Sequence, residues 1–180
     1  MLTISISPAC YISYIDNRFR LSSTFALGCL LLLHSHSLQA DEHIRIAEFR
    51  VIDQQYLTIA REKINNRCRD SFGTFFRTNK KHDLPLLQRL LDEKRVTAEE
   101  LDLLQAMGII LGDILSREYP LDWVRYIDQY GSSRALKLRH QEHYLFPITA
   151  ISRRASVGAS VDITAIYQKL RNPVVTAYNR

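Results

Sequence analysis

Trp123-Val124-Arg125-Tyr126-Ile127, Asp128-Gln129-Tyr130-Gly131 and Arg134-Ala135-Leu136-Lys137-Leu138 follow one another between two helical stretches. The first and last runs are rich in aromatic, β-branched and leucine side chains, and the middle one carries the Asp and Gly of a tight turn. The stretch therefore reads as a β-hairpin near 123–138, with a loop of roughly four to six residues. Strand alternation puts Trp123, Arg125 and Ile127 on one face and Val124, Tyr126 and Asp128 on the other. Each face mixes apolar and charged residues.

Outward from the hairpin the signals are helical. Thr97-Ala98-Glu99-Glu100 is a capping box, with Val96 and Leu101 placed as its hydrophobic staple. Leu101, Leu104, Gly108, Leu111 and Leu115 give the helix that follows a buried stripe, which Pro120 ends. Gly108 and Gly112 lie one turn apart on it. Each costs about 1 kcal/mol of helix propensity relative to Ala, which calls for a neighbour packed closely against them. Further upstream, Asp53 is the expected N-cap of a helix to about Ser71, with Tyr56, Ala60, Ile64 and Cys68 on one face and Gly73 as its stop. Asp83 then opens a short helix with Pro85 in its first turn, after a polar loop over Thr74–His82. Asp41–Ile52 reads as a partly extended lead-in.

Downstream, Leu145-Phe146-Pro147 leads into a helix through about Ala155 that Gly158 ends, and Asp162 caps a last helix that Pro173 closes. The fold class is α+β: a helical N-terminal half, a hairpin, then two C-terminal helices. The expected divisions are a signal peptide over 1–40, an N-terminal helical segment over 41–81, the core over 82–172 and a frayed tail over 173–180.

Phe25-Ala26-Leu27-Gly28-Cys29-Leu30-Leu31-Leu32-Leu33 is the most apolar run, with Arg18 and Arg20 before it and Ser35–Ala40 after it. That order is a secretory signal with cleavage expected near Ala40, and it implies a periplasmic protein. Nine helical residues span about 14 Å, against the roughly 30 Å of a bilayer core, so no stable membrane span is expected. Four leucines follow Cys29 where a lipoprotein needs a polar tether, which argues against a lipid anchor. Removing the leader leaves Cys68 as the sole thiol. On an apolar helical stripe it reads as a buried, inert side chain.

The 180 residues are 46% hydrophobic and 24% charged, which excludes a disordered or low-complexity chain. The net charge of +5 is mild. Its densest basic groups, Arg77/Lys80/Lys81 and Arg153/Arg154, are too short for a nucleic-acid face, so no nucleic-acid partner is expected. A cytosolic nucleic-acid binder would require the leader to be an artefact.

Leu104-Gln105-Ala106-Met107-Gly108, Gly112-Asp113, Trp123, Tyr126 with Asp128, Tyr130-Gly131, Phe146-Pro147 and Ser152-Arg153-Arg154 form a recognisable series. Together with Gly158, Val161-Asp162 and Tyr167, it resembles the bacterial domain of unknown function 3806 over roughly residues 82 to 170. The resemblance implies a small exported protein of a Gram-negative bacterium. It brings no established activity, cofactor or catalytic residue.

The candidate binding residues are Trp123, Tyr126, Asp128, Tyr130, Arg153 and Arg154, with Arg125 beside them, because Trp, Tyr and Arg dominate recognition hot spots. The plainer account makes Trp123 a core residue, gives Asp128 to the turn and leaves the arginines solvated. His140, Glu142 and His143 form a second group, able to hold zinc only if His43 or His82 joined them, and their spacing is not that of a zinc hydrolase. No Gly-x-Ser-x-Gly elbow or phosphate loop is present, so no catalytic residue and no cofactor are assigned; Asp113 and Asp122 could pair as carboxylates. The leading expectation is a non-enzymatic periplasmic module that binds a protein or envelope component through the hairpin region. The alternative is a small metal-dependent or hydrolytic enzyme using His140, Glu142 and His143.

Overall fold

The computed structural model describes residues 44–178; the leader, with Cys10 and Cys29, lies outside them. The hairpin exists and is the centre of a larger sheet. Strands β1 (Arg45–Ala47), β2 (Leu121–Asp128), β3 (Gly131–Leu138) and β4 (Tyr144–Leu145) run antiparallel in the order β1-β2-β3-β4. The lead-in supplies β1, whose Ile46 pairs with Tyr126, and the residues before Pro147 supply β4, whose Leu145 pairs with Leu136.

The hairpin loop is tighter than the sequence suggests. Asp128 pairs with Gly131, leaving only Gln129 and Tyr130 between the strands. The Tyr130 N–H donates to Asp128 Oδ1 at 2.9 Å, and Gly131 takes φ +126°, which no Cβ-bearing residue adopts without strain.

The described residues also form five helices: α1 (Val51–Phe72), α2 (Lys80–Asp92), α3 (Leu101–Glu118), α4 (Ile148–Ala155) and α5 (Ile163–Tyr178). The central one is α3, where Leu104, Met107, Leu111 and Leu115 are almost fully buried. The expected close neighbours of its glycines are there. A Cβ on Gly108 would come within 2.6 Å of the Ile148 carbonyl oxygen, and one on Gly112 within 2.7 Å of Trp123 Cζ2. Glycine is thus what lets α4 and the Trp123 ring rest on the α3 backbone.

Several boundaries move, each because a tertiary contact outweighs a local signal. Arg50, not Asp53, is the N-cap of α1; Asp53 lies inside the helix and its carboxylate accepts the Arg50 backbone N–H at 3.2 Å. Helix α2 starts at Lys80 under an Asn79 cap, ahead of Asp83, so Pro85 falls within the helix. Asp83 is fully buried, and its carboxylate turns back to accept the N–H groups of Arg77 and Asn79, fixing the preceding loop. Half of the Thr97 capping box forms, with Glu100 accepting the Thr97 N–H at 2.9 Å. Helix α3 nevertheless begins after Glu100, and Leu101 turns to solvent instead of stapling Val96.

The last helix crosses Pro173 and continues to Tyr178, where a frayed tail was expected. Val174 is fully buried, and the Gln141 side-chain amide donates to the Ala177 carbonyl at 2.9 Å, so contacts with the rest of the fold hold the turn that proline weakens. Asp162 does cap α5, accepting from Ala165 N–H at 2.9 Å. Among the described residues no helix is long and apolar enough to cross a membrane.

Candidate functional site

The two faces of the sheet separate the candidate residues. Cross-strand pairing places Trp123, Leu136 and Leu145 on the face toward the helices, and Tyr126, Ser133, Lys137 and Tyr144 on the opposite face. Trp123 is therefore a packing residue. Its ring lies on Gly112 and 6.3 Å from Phe49, and its indole nitrogen is buried with no hydrogen-bond partner among the described residues.

Arg125 also turns inward, to a buried ionic cluster. Asp53 is 3% exposed; its Oδ1 lies 3.0 Å from Arg134 Nη2, and its Oδ2 lies 3.8 Å from Arg125 Nε. The Arg134 guanidinium also sits 4.1 Å above the Tyr56 ring, whose hydroxyl donates to Gln105 Oε1 at 3.2 Å. This cluster joins α1, α3 and both central strands. One signal in the sequence pointed to it: Asp53 lies on the same helical stripe as the buried Leu57, Ile64 and Cys68. A carboxylate there requires a buried counter-charge, though the linear pattern does not say which arginine provides it.

On the opposite face the aromatic rings gather. Tyr126 meets Tyr144 at 5.1 Å and Phe146 at 5.2 Å, both edge-on, and Phe146 remains 38% exposed. Arg153, on the exposed side of α4, borders Phe146 from two directions. It lines a small hollow of about 210 Å³ with Tyr56, Ser133 and Arg134, and a larger cleft of about 360 Å³ with Arg154 and Lys169. Tyr130 stands apart at the hairpin tip, 86% exposed, and Asp128 is engaged by the turn. The structure thus unites Tyr126 with Phe146 and Arg153, adds Arg154 and Lys169 beyond them, and leaves Trp123, Asp128 and Tyr130 elsewhere.

Among the described residues, outside which His43 lies, the histidine group is not assembled. The Glu142 carboxylate accepts from Lys137 Nζ at 2.7 Å and from the Tyr144 hydroxyl, and these contacts, Lys137 first, hold it below its usual range. Among the described residues no three His, Cys, Asp or Glu side chains come together as metal ligands. The two carboxylates considered as a pair are each committed to an arginine: Asp113 to Arg61 in a two-pronged contact of 2.7 Å, and Asp122 to Arg139 at 2.7 and 2.8 Å. The Arg139 hydrogen bond depresses the Asp122 pKa, which is the wrong direction for a proton donor. Cys68 is fully buried, and desolvation pushes its thiol up to about 11, so it is no nucleophile at neutral pH.

Residues 83–167 match the family model described as Domain of unknown function (DUF3806). No curated protein matches the chain. A solved structure from Bacteroides thetaiotaomicron VPI-5482 is similar, with a TM-score of 0.63 and 17% identity. The alignment covers 72% of this chain and 48% of that one, so this chain spans about half the length of its structural neighbour. At that identity the likeness concerns the fold.

Proposed function

We propose that this chain is an exported binding module that engages an envelope protein through the outer sheet face and the adjoining edge of α4. The observation that carries this reading is the meeting of the Tyr126 ring with Tyr144 at 5.1 Å and with Phe146 at 5.2 Å, beside Arg153. Aromatic and arginine side chains side by side are the combination that contributes most to protein recognition. Support for export comes from the order of Arg18, Arg20, the Phe25–Leu33 run and Ala40, and from the family resemblance. The carboxylates committed to Arg61, Arg139 and Lys137 favour binding over hydrolysis.

Two measurements test it. The intact mass of untagged protein from separated periplasmic and cytosolic fractions should show a periplasmic species beginning near Asp41; a cytosolic species retaining residues before Phe25 refutes export. Tyr126→Ala and Arg153→Ala should each lower recovery of a cross-linked envelope partner at least fivefold with unchanged circular dichroism. Recovery equal to wild type in both variants refutes the surface.

A further inference from the structure

The cleft between β4, α4 and α5 carries a charge pattern that the fold itself does not use. Its lining includes Arg153, Arg154 and Lys169 and no acidic residue, and none of the three makes an ion pair among the described residues. Arg61, Arg67, Arg134 and Arg139, by contrast, each have a carboxylate within 3.0 Å. The clefts that hold Lys81, Arg117 and Lys94, also without an ion pair among the described residues, include Glu118 or Asp92 and Glu99 in their walls. Arg153 and Arg154 lie in the last turn of α4, where positive charge suits the helix end. Lys169 lies in the body of α5 and has no such reason to be there.

Beneath these cations the surface is apolar. Phe146, Ile166 and Leu170 form the wall and floor. A hollow of about 360 Å³ has room for a small organic molecule. A purely apolar guest would leave the three cations without a counter-charge, and a bare inorganic anion would leave the apolar floor wet. The guest that satisfies both has an anionic head and a short hydrocarbon body.

We infer that this cleft is a binding site for a small amphipathic carboxylate, its head held by Arg153, Arg154 and Lys169 and its medium-length chain lying against Phe146, Ile166 and Leu170. Guanidinium groups suit a carboxylate because their paired N–H donors match its two oxygens. The site shares Phe146 and Arg153 with the protein-binding face proposed above, but it does not depend on export or on a protein partner.

Decanoate is the probe. Titrated into the purified protein, followed by calorimetry and by amide chemical shifts, it should bind at one site, with shifts confined to β4, α4 and α5. Decanol, with the same chain and no charge, should bind at least tenfold more weakly, and so should inorganic phosphate. The Arg154→Gln/Lys169→Gln double variant should weaken decanoate at least tenfold with an unchanged thermal midpoint, and Leu170→Ser at least threefold with a lowered one, because Leu170 also packs against the core. Equal affinity for decanoate and decanol overturns the inference in favour of a merely apolar groove. Phosphate competing on equal terms overturns it in favour of a generic anion patch. Wild-type affinity in the double variant, or shifts spread over the whole domain, also overturns it.

Discussion

Arg134 and Arg153 both border the small hollow beside Phe146, yet they belong to different regimes. Arg134 reaches inward to the buried Asp53 and stacks on Tyr56, so its charge is neutralised within the fold. Arg153, with Arg154 and Lys169 beyond it, stands over an apolar cleft with no carboxylate in its lining. The contrast separates charge that builds the structure from charge kept available at its surface. Residue type alone does not make that distinction: by composition and neighbourhood, Arg125 and Arg153 look like one basic group beside the hairpin, and only the strand faces divide them.

The comparison can be broken first at the inner region. Gly108→Ala should cost about 3 kcal/mol in urea unfolding, because the new Cβ overlaps backbone atoms of Pro147 and Ile148, which cannot move independently of α4. A loss under 1 kcal/mol would mean that α4 is not seated on the α3 backbone. Asp53→Asn should cost about 2 kcal/mol, a discounted value because Arg125 and Arg134 keep 18% and 30% side-chain exposure and can recruit some water. An unchanged urea midpoint would show that the cluster does not hold the sheet to α1.

Cys68 offers a subtler probe of the same interior. Burial raises its pKa from an ordinary 9.0 to about 11, so the folded state holds the proton more tightly than the unfolded chain. The corresponding stability is complete below about pH 9 and is lost as pH rises through about 11. Wild type should therefore lose more stability than Cys68→Ala over that window, measured by urea unfolding at stepped pH. Parallel curves would place the thiol in contact with water.

How far the sequence carried depended on whether a signal was local. The hairpin, the Asp162 cap and the tight approach to Gly108 and Gly112 were legible because turn chemistry, capping and helix propensity act within a few residues. The Thr97 box was half legible, since Glu100 reaches back as expected while Leu101 finds no partner to staple. What could not be read depended on distant partners. Pro173 reads as a stop, but Val174 is held in the core and Ala177 by Gln141. Asp53 reads as a cap until arginines 72 and 81 positions away claim it. The same limit applied to the candidate site: Arg153 and Arg154 were visible as a basic pair, but Lys169 and the apolar floor join them only when α5 packs beside α4.

The smallest expected effect is the most telling. The triple variant Arg153→Gln/Arg154→Gln/Lys169→Gln removes three charges that have no ion pair among the described residues, losing only the favourable charge at the end of α4, and its unfolding free energy should stay within about 1 kcal/mol of wild type. Urea denaturation of this variant beside Asp53→Asn, in the same buffer, is the direct test of the division between structural and available charge. A retained midpoint for the triple variant and a clearly lowered one for Asp53→Asn is the predicted result. A triple variant that unfolds as early as Asp53→Asn would contradict it, and would return Arg153, Arg154 and Lys169 to the framework of the fold.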